Sequence, residues 1–489
     1  MTHYYLELSE EDSNGSAHKF YEVDVDDCTV TINYGRIGTD GTKSVSSYGS
    51  NQEAEKQALK KVNEKKRKGY ADAVKGVRQK RTITRRTIVS QPSSTKKRLP
   101  ILWKYNSGAA AFGVFIDESS CWVGNQSGLV YRLNHDAEVL NQFRFAEGVK
   151  CIVADNHWIY IGCDDGNVYD LSGKIPRLAY EINEDIDIFW LDIKNGLLAV
   201  SDSGGTLTAI NYENEQQWAV KTKGNSAWMV RCDEDGHIFY GDSWGVSCYD
   251  GGQTQPIMVE NVVCGWSNKE AVWKQKTGYV LFGWLGKVFV YAGTGDNKVH
   301  AFSKQGQKAQ TYQADNSVFS CAVSPDETYI FAGDNCSSVY CFKNTGERLW
   351  KLATGCGSAY SMQYFNEKLF IVTTDGSLAC IDVSETAIQA AMEGQVTAAR
   401  EVKAPTKKAE LVASDVLETA PANITGVVLK CVKEGSKLRV KVVSTGYNDW
   451  YVQFPNNLRK EGRLYIVDAI EEATQGGFYR VVGNIYAQS

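Results

Sequence analysis

Proline, histidine and methionine are scarce, at 8, 6 and 5 of 489 residues. The six histidines (3, 18, 135, 157, 237 and 300) stand apart, and no HExxH, GxSxG or CxxC occurs, so no recognisable catalytic or zinc constellation is present. The 13 cysteines are odd in number and dispersed along apparent strands, which favours buried thiols in a reducing compartment over a disulfide framework. No apolar run reaches about 18 residues, which excludes a membrane-spanning helix. The opening MTHYYLELSEEDSN has neither a basic start nor an apolar stretch, so a cytoplasmic location is expected. What is abundant points to strands and tight turns: 44 glycines, 26 tyrosines and 12 tryptophans, with 43% hydrophobic residues to build cores. The fold class expected is mainly β, in two to four domains.

Charge is unevenly placed. The net charge is −5, yet residues 1–51 carry 3 basic and 9 acidic side chains, whereas residues 52–98 carry 16 basic and 4 acidic. A basic block in an acidic chain is either an electrostatic footprint for a polyanion or a solvated helix and linker.

Residues 3–48 alternate as strands do, with Tyr5, Phe20, Tyr21, Val23, Val25, Val30 and Ile32 between polar positions and turns at Asn14-Gly15 and Asp40-Gly41. A helix follows. Ser50 and Glu53 form a capping box, Ala54, Ala58, Leu59 and Val62 an apolar stripe, and Gly69 the stop. Lys60, Lys61, Lys65, Lys66 and Arg67 lie elsewhere on it. The segment Gly38–Ser44 is no phosphate-binding loop, since Thr42 replaces the glycine before Lys43 and a hairpin replaces the strand-to-helix turn.

The run Tyr34-Gly35-Arg36-Ile37-Gly38-Thr39, then Lys43 and a helix ending KKRKGY, resembles the WGR domain of bacterial-type members over residues 1–75. The resemblance implies an α+β module that, in poly(ADP-ribose) polymerases, grips DNA near a strand break through the motif's aromatic and arginine. By position these are Tyr34 and Arg36, flanked by Gly35 and Lys43. An arginine fork suits a phosphate and a tyrosine face suits a sugar or base. Alternatively, Tyr34 is a core residue and Arg36 pairs with a local carboxylate. No ADP-ribosyltransferase domain accompanies the motif. Residues 76–99 read as a basic linker whose Arg78, Lys80, Arg81, Arg85 and Arg86 add phosphate contacts.

Residues 100–383 repeat a unit of an apolar strand, a turn and an alternating strand. The turn positions are Gly128, Gly166, Gly205, Gly245, Asn297, Ser337 and Gly376, spaced by 38, 39, 40, 52, 40 and 39 residues. Seven such units specify a seven-bladed β-propeller. Phe143, Tyr180, Trp218, Tyr312 and Trp350 mark outer strands, and Trp103 marks one with no turn before it. Strand 101–105 is therefore expected to complete the blade built from 358–383, which leaves no free edge. The long fourth interval places extra chain in 250–278, with the outer strand at either 257–259 or Trp273. The units resemble WD-type repeats (SPDETYIFAGD) and quinoprotein-like repeats (NTGERLWKLATG). Neither implies a quinone cofactor here, and Asp164-Asp165 and Asp233-Asp235 read as turns rather than metal ligands. Cofactor and metal are both expected to be none.

Residues 384–423 read as a linker, and 424–489 as a small β-barrel-like domain. Its Trp450, Tyr451, Phe454, Arg439, Arg459 and Arg463 form either a nucleic-acid face or part of a core. The function expected is a non-enzymatic adaptor. In it the N-terminal module and basic linker bind DNA or another polyanion, and the propeller and C-terminal domain bind proteins. One alternative is a protein-only subunit of a bacterial multi-component system, ATPase-linked or defensive. A second is a propeller enzyme with an unrecognised central pocket.

Overall fold

The computed structural model describes residues 2–12, 15–36, 41–73, 90–173, 176–183, 186–222, 228–252, 256–259, 262–266, 269–394, 400–402, 409, 426–473 and 477–488, with the backbone alone at 9–12, 15–18, 36, 256–259 and 262–266. The chain forms two compact units, Met1–Thr84 and Arg85–Ser489.

In the first unit, strands Thr2–Asp12, Gly15–Asp26, Thr29–Arg36 and Thr42–Ser47 form an antiparallel meander, and Ala71–Asp72 pairs back onto the first strand. The helix Asn51–Arg67 starts where its capping box predicts, with the Ser50 hydroxyl accepting from the Glu53 N–H at 3.2 Å. It buries Ala54, Ala58 and Val62 against Leu6, Val23 and Val25 of the sheet. Leu59, expected in that stripe, is 47% exposed. The buried set runs 54, 58, 62 and on to half-buried Lys65, and Leu59 stands about 100° round the helix from Ala58.

The second unit contains seven sheets arranged as blades. Each has four antiparallel strands in meander order, as in Ala111–Ile116, Cys121–Asn125, Leu129–Leu133 and Val139–Arg144 of blade 1. The inner strands pack in a ring, with that of blade 7 against that of blade 1. Ile101–Asn106 pairs with Ser377–Asp382 and completes blade 7, as the unpaired Trp103 signal required. In blade 4 the outer strand is Trp273–Lys276, and the surplus chain forms a separate hairpin, Pro256–Val259 with Val262–Trp266. The turn positions have a physical cause. Gly166 sits at φ +82°, and a Cβ there would lie 1.9 Å from the Asn183 carbonyl oxygen in the chain leading to the next blade. Asn297 and Ser337 take the same positive φ, at 68° and 51°.

One end of the central channel is closed by aromatic side chains. In six blades the inner ladder shifts by one residue, at Phe112, Lys150, Phe189, Leu281, Phe319 and Tyr360. Trp228 takes the equivalent place in blade 4. Phe112 stacks on Tyr360 at 4.3 Å and reaches Trp228 across the axis at 5.8 Å. Lys150 crosses the Phe112 ring and pairs with Asp164 at 3.4 Å, both side chains fully buried. Asp164 is therefore more than a turn residue. Asp165, by contrast, is one: it accepts from the Asn167 N–H and the Tyr169 hydroxyl.

Two segments expected as linker are partly docked. In the first, Ser90 meets Ser337 and Ser358 at 2.8 and 2.9 Å, Ser93 meets Ser338 at 2.7 Å, and Leu99 is buried. Serine-rich composition reads as flexible, yet here the hydroxyls complete the turns of blades 6 and 7. In the second, the helix Glu385–Glu393 buries Ile388 and Ala391 against the closing blades and ends at Gly394. Arg400–Val402 then runs parallel to Ile101–Asn106 as a fifth strand.

Strands Val427–Glu434, Lys437–Val442, Tyr451–Gln453, Leu464–Glu472 and Phe478–Ala487 form a closed barrel. Its core holds Leu429, Cys431, Val452, Tyr465 and Val481. The barrel packs on blades 2 and 3. Buried Arg480 pairs with the buried Asp155 carboxylate and lies 4.8 Å from the Trp158 ring. Trp158 Nε1 donates to the Val481 carbonyl at 2.9 Å, and Tyr212 stacks flat on Phe478 at 3.9 Å.

Candidate nucleic-acid interface

Register brings the motif residues together on two strands. Tyr34 lies opposite Tyr21, Gly35 opposite Phe20, and Arg36 opposite Lys19, while Asn33 faces Lys43 on the next strand. Tyr34 is 44% exposed, so it is not a core residue. Lys43 is exposed as well. The Arg36 side chain and Arg78, Lys80, Arg81, Arg85 and Arg86 lie outside the described residues.

Behind Tyr34 stands an aromatic run that the motif alone does not reveal. Tyr34 to Tyr21 is 6.2 Å between ring centres, and Tyr21 to Tyr70 is 6.3 Å, edge to face. Lys65 Nζ lies 4.6 Å from the Tyr21 ring centre and 5.1 Å from that of Tyr70, a cation held over two π faces. Burial lowers the Lys65 pKa, and the neighbouring charges of Lys68 and Lys19 lower it further. Lys65 thus lies in the field of further ammonium groups, offset in part by Glu64. Lys66 is neutralised by Asp72 at 2.6 Å. Lys43, Lys60 and Lys68 are exposed and make no ion pair among the described residues. The same helical spacing that turns Val62 toward the sheet also places Lys65 there, three residues on, although in sequence that lysine looks like solvent-facing charge.

The family model described as WGR domain covers residues 4–77. Residues 4–77 are a WGR domain. The WGR domain accounts for the hexapeptide motif, the hairpin behind it and the lysine-rich helix in one unit. No curated protein matches the chain. Among solved structures, the WD40 β-propeller domain of Doa1 is similar at 12% identity and TM-score 0.48, over 60% of this chain and 99% of that one. The computationally designed Ika8 protein is similar at 10% identity and TM-score 0.45, over 59% and 100%.

The other charged surface raised by the sequence is engaged within the fold. Arg439 pairs with Glu213 at 3.1 Å and Glu434 at 3.3 Å, and Arg459 donates to the carbonyls of Phe454, Leu438 and Glu213. Phe454 is buried in the barrel core, and Tyr451 sits beneath Arg439. These groups hold the barrel together and to blade 3. Asp233, Asp235 and His237 do converge within 4.8 Å, but Asp233 Oδ1 accepts the backbone N–H of both others, the geometry of a turn. Among the described residues, no helix is long and apolar enough to cross a membrane.

Proposed function

We propose that this protein is a non-enzymatic adaptor in which the WGR domain and the basic segment behind it hold DNA, or another polyanion, while the propeller and barrel hold protein partners. The observation that carries the reading is exposed Tyr34 at the end of a tyrosine run, with the Lys65 ammonium held over the Tyr21 and Tyr70 rings and Lys43, Lys60 and Lys68 exposed. An exposed ring beside concentrated ammonium groups suits a nucleic-acid backbone, the ring taking a sugar or base and the cations the phosphates.

The test is salt-dependent binding of the full chain to duplex DNA with ends or nicks, by fluorescence anisotropy. Arg36→Ala weakens binding by about 1–3 kcal/mol, the scale of a charge-assisted contact. Arg36→Lys separates geometry from charge, because it keeps the charge and removes the planar fork. Neutralising Lys80, Arg81, Arg85 and Arg86 flattens the log–log salt dependence by close to one unit for each phosphate no longer neutralised. If no salt-sensitive binding is seen near about 50 mM salt, the protein-only reading replaces this one.

A further inference from the structure

The channel end opposite the aromatic closure is hollow. A cavity of about 360 Å³ opens there among the inner strands, within the range of roughly 300–1,000 Å³ usual for small-molecule sites. Arg231 lines it. The guanidinium carbon lies 5.6, 5.3 and 5.5 Å from the ring centres of Trp190, Phe282 and Trp284. Its Nε donates to the Gly283 carbonyl at 3.0 Å and one terminal nitrogen to the Val230 carbonyl at 3.4 Å. Among the described residues no carboxylate comes within ion-pairing distance of it. Asp192, the nearest acid electrostatically, accepts from the Ile193 and Cys232 N–H groups at 3.0 and 2.9 Å instead.

The positions of the charged groups define what fits. Burial lowers the Arg231 pKa, with Asp192, Cys321 and Cys151 acting in the other direction. Those partners come from blades 3, 6 and 2, which sets the guanidinium near the propeller axis. Burial also raises the Asp192 pKa, against the pull of Arg231. Lys194, also on the lining, is paired with Glu234 at 3.3 Å. Asp192 also lines the cavity but is held by backbone N–H groups. A semi-buried guanidinium boxed by aromatic rings, with no carboxylate in ion-pair contact among the described residues, is a receptor for an anion. We propose that this cavity binds a small organic anion, its carboxylate or phosphate on Arg231 and its flat or apolar body against Trp190 and Trp284.

The experiment is calorimetric titration of the full chain with three probes: adenosine 5′-monophosphate, phenylacetate and inorganic phosphate. One of the first two binds more tightly than inorganic phosphate, and which one it is assigns the phosphate or the carboxylate class. Arg231→Gln weakens that probe roughly 10- to 100-fold. Ala154→Trp keeps Arg231 but fills the space, and it abolishes binding. This variant also decides the matter if Arg231→Gln fails to fold. The proposal is overturned if neither organic probe binds more tightly than about 1 mM, if inorganic phosphate binds as well as both, or if the folded variants bind like the parent chain.

Discussion

The WGR domain and the C-terminal barrel are both small β modules carrying tyrosines and cations, and they use them in opposite ways. In the WGR domain Tyr34 is exposed, and exposed Lys43, Lys60 and Lys68 make no ion pair among the described residues. In the barrel the arginines point at the propeller: Arg480 at Asp155, Arg439 at Glu213, and Arg459 at the Glu213 carbonyl. Composition does not separate the two cases. What separates them is whether an acidic partner waits elsewhere in the chain, and those carboxylates lie more than 200 residues away from their arginines.

The comparison breaks most visibly at the closing strand. A chain starting at residue 110 lacks buried Ile101, Trp103 and Tyr105. At about 1.5–3 kcal/mol per large apolar side chain, it should lose roughly 5 kcal/mol or more and expose an edge. Its melting and solubility are compared with those of a chain starting at 90, and equal behaviour would mean the blade is closed in some other way.

Next in size is the barrel's anchor. Arg480→Leu leaves the Asp155 carboxylate buried without its ion pair, so it should cost about 3–5 kcal/mol. Limited proteolysis should then cut between residues 403 and 425 earlier than in the parent chain. Replacing both residues with apolar ones should recover much of the loss, and a single variant as resistant as the parent would show that the barrel is held by packing alone.

Tyr34→Ala sharpens the other side. With a half-exposed ring, it should leave the melting temperature nearly unchanged while weakening single-stranded DNA binding by about 1–3 kcal/mol. A large loss of stability with unchanged affinity would move Tyr34 from surface to scaffold.

The smallest effect concerns pH. Burial raises the Asp315 pKa, but hydrogen bonds from Lys351 and Arg348 outweigh this and hold it below the ordinary carboxylate range. A folded-state pKa depressed in this way adds stability above the unfolded value of about 3.9 and loses it as pH falls through the folded one. Asp315 is 44% exposed, so screening keeps the effect near or below about 0.5 kcal/mol. Asp315→Asn should therefore cost no more than that at neutral pH and remove a slight acid-side slope from the denaturation midpoint. A slope unchanged in the variant would assign the acid sensitivity to other carboxylates.

The propeller was legible because its information is periodic. Turns at Gly128, Gly166 and Gly376 recur at blade spacing, and Trp103 stood alone where an outer strand had to be. The aromatic closure carries the same period at 112, 150, 189 and 228, but its members share only a location, not a residue type. The docking of the barrel was not legible. Arg480 alternates in its strand like any surface cation, and only the fold shows Asp155 beneath it. Ser90 and Ser93 misled for a similar reason, since hydroxyls that complete another blade's turns look like linker composition. At the candidate DNA site, Tyr34 could be read from the motif. The Lys65–Tyr21–Tyr70 cluster needed the helix to be laid on the sheet.

The strand order of blade 7 sets how the propeller answers mechanical force. Ile101 faces Ile381, so if the chain left blade 7 at Asp382, tension between its ends would unzip the closing pair one hydrogen bond at a time. The helix Glu385–Glu393 and the parallel strand Arg400–Val402 change that geometry. Val402 leaves beside Tyr105, at the opposite end of the strand from the incoming Ile101, so the load falls on the parallel pairs together, in shear. Tension applied between Ile101 and Val402 therefore loads the closure in shear instead of unzipping it. In an optical trap, replacing Arg400–Val402 with glycines should lower the rupture force of the ring, and an unchanged force would put the load path elsewhere.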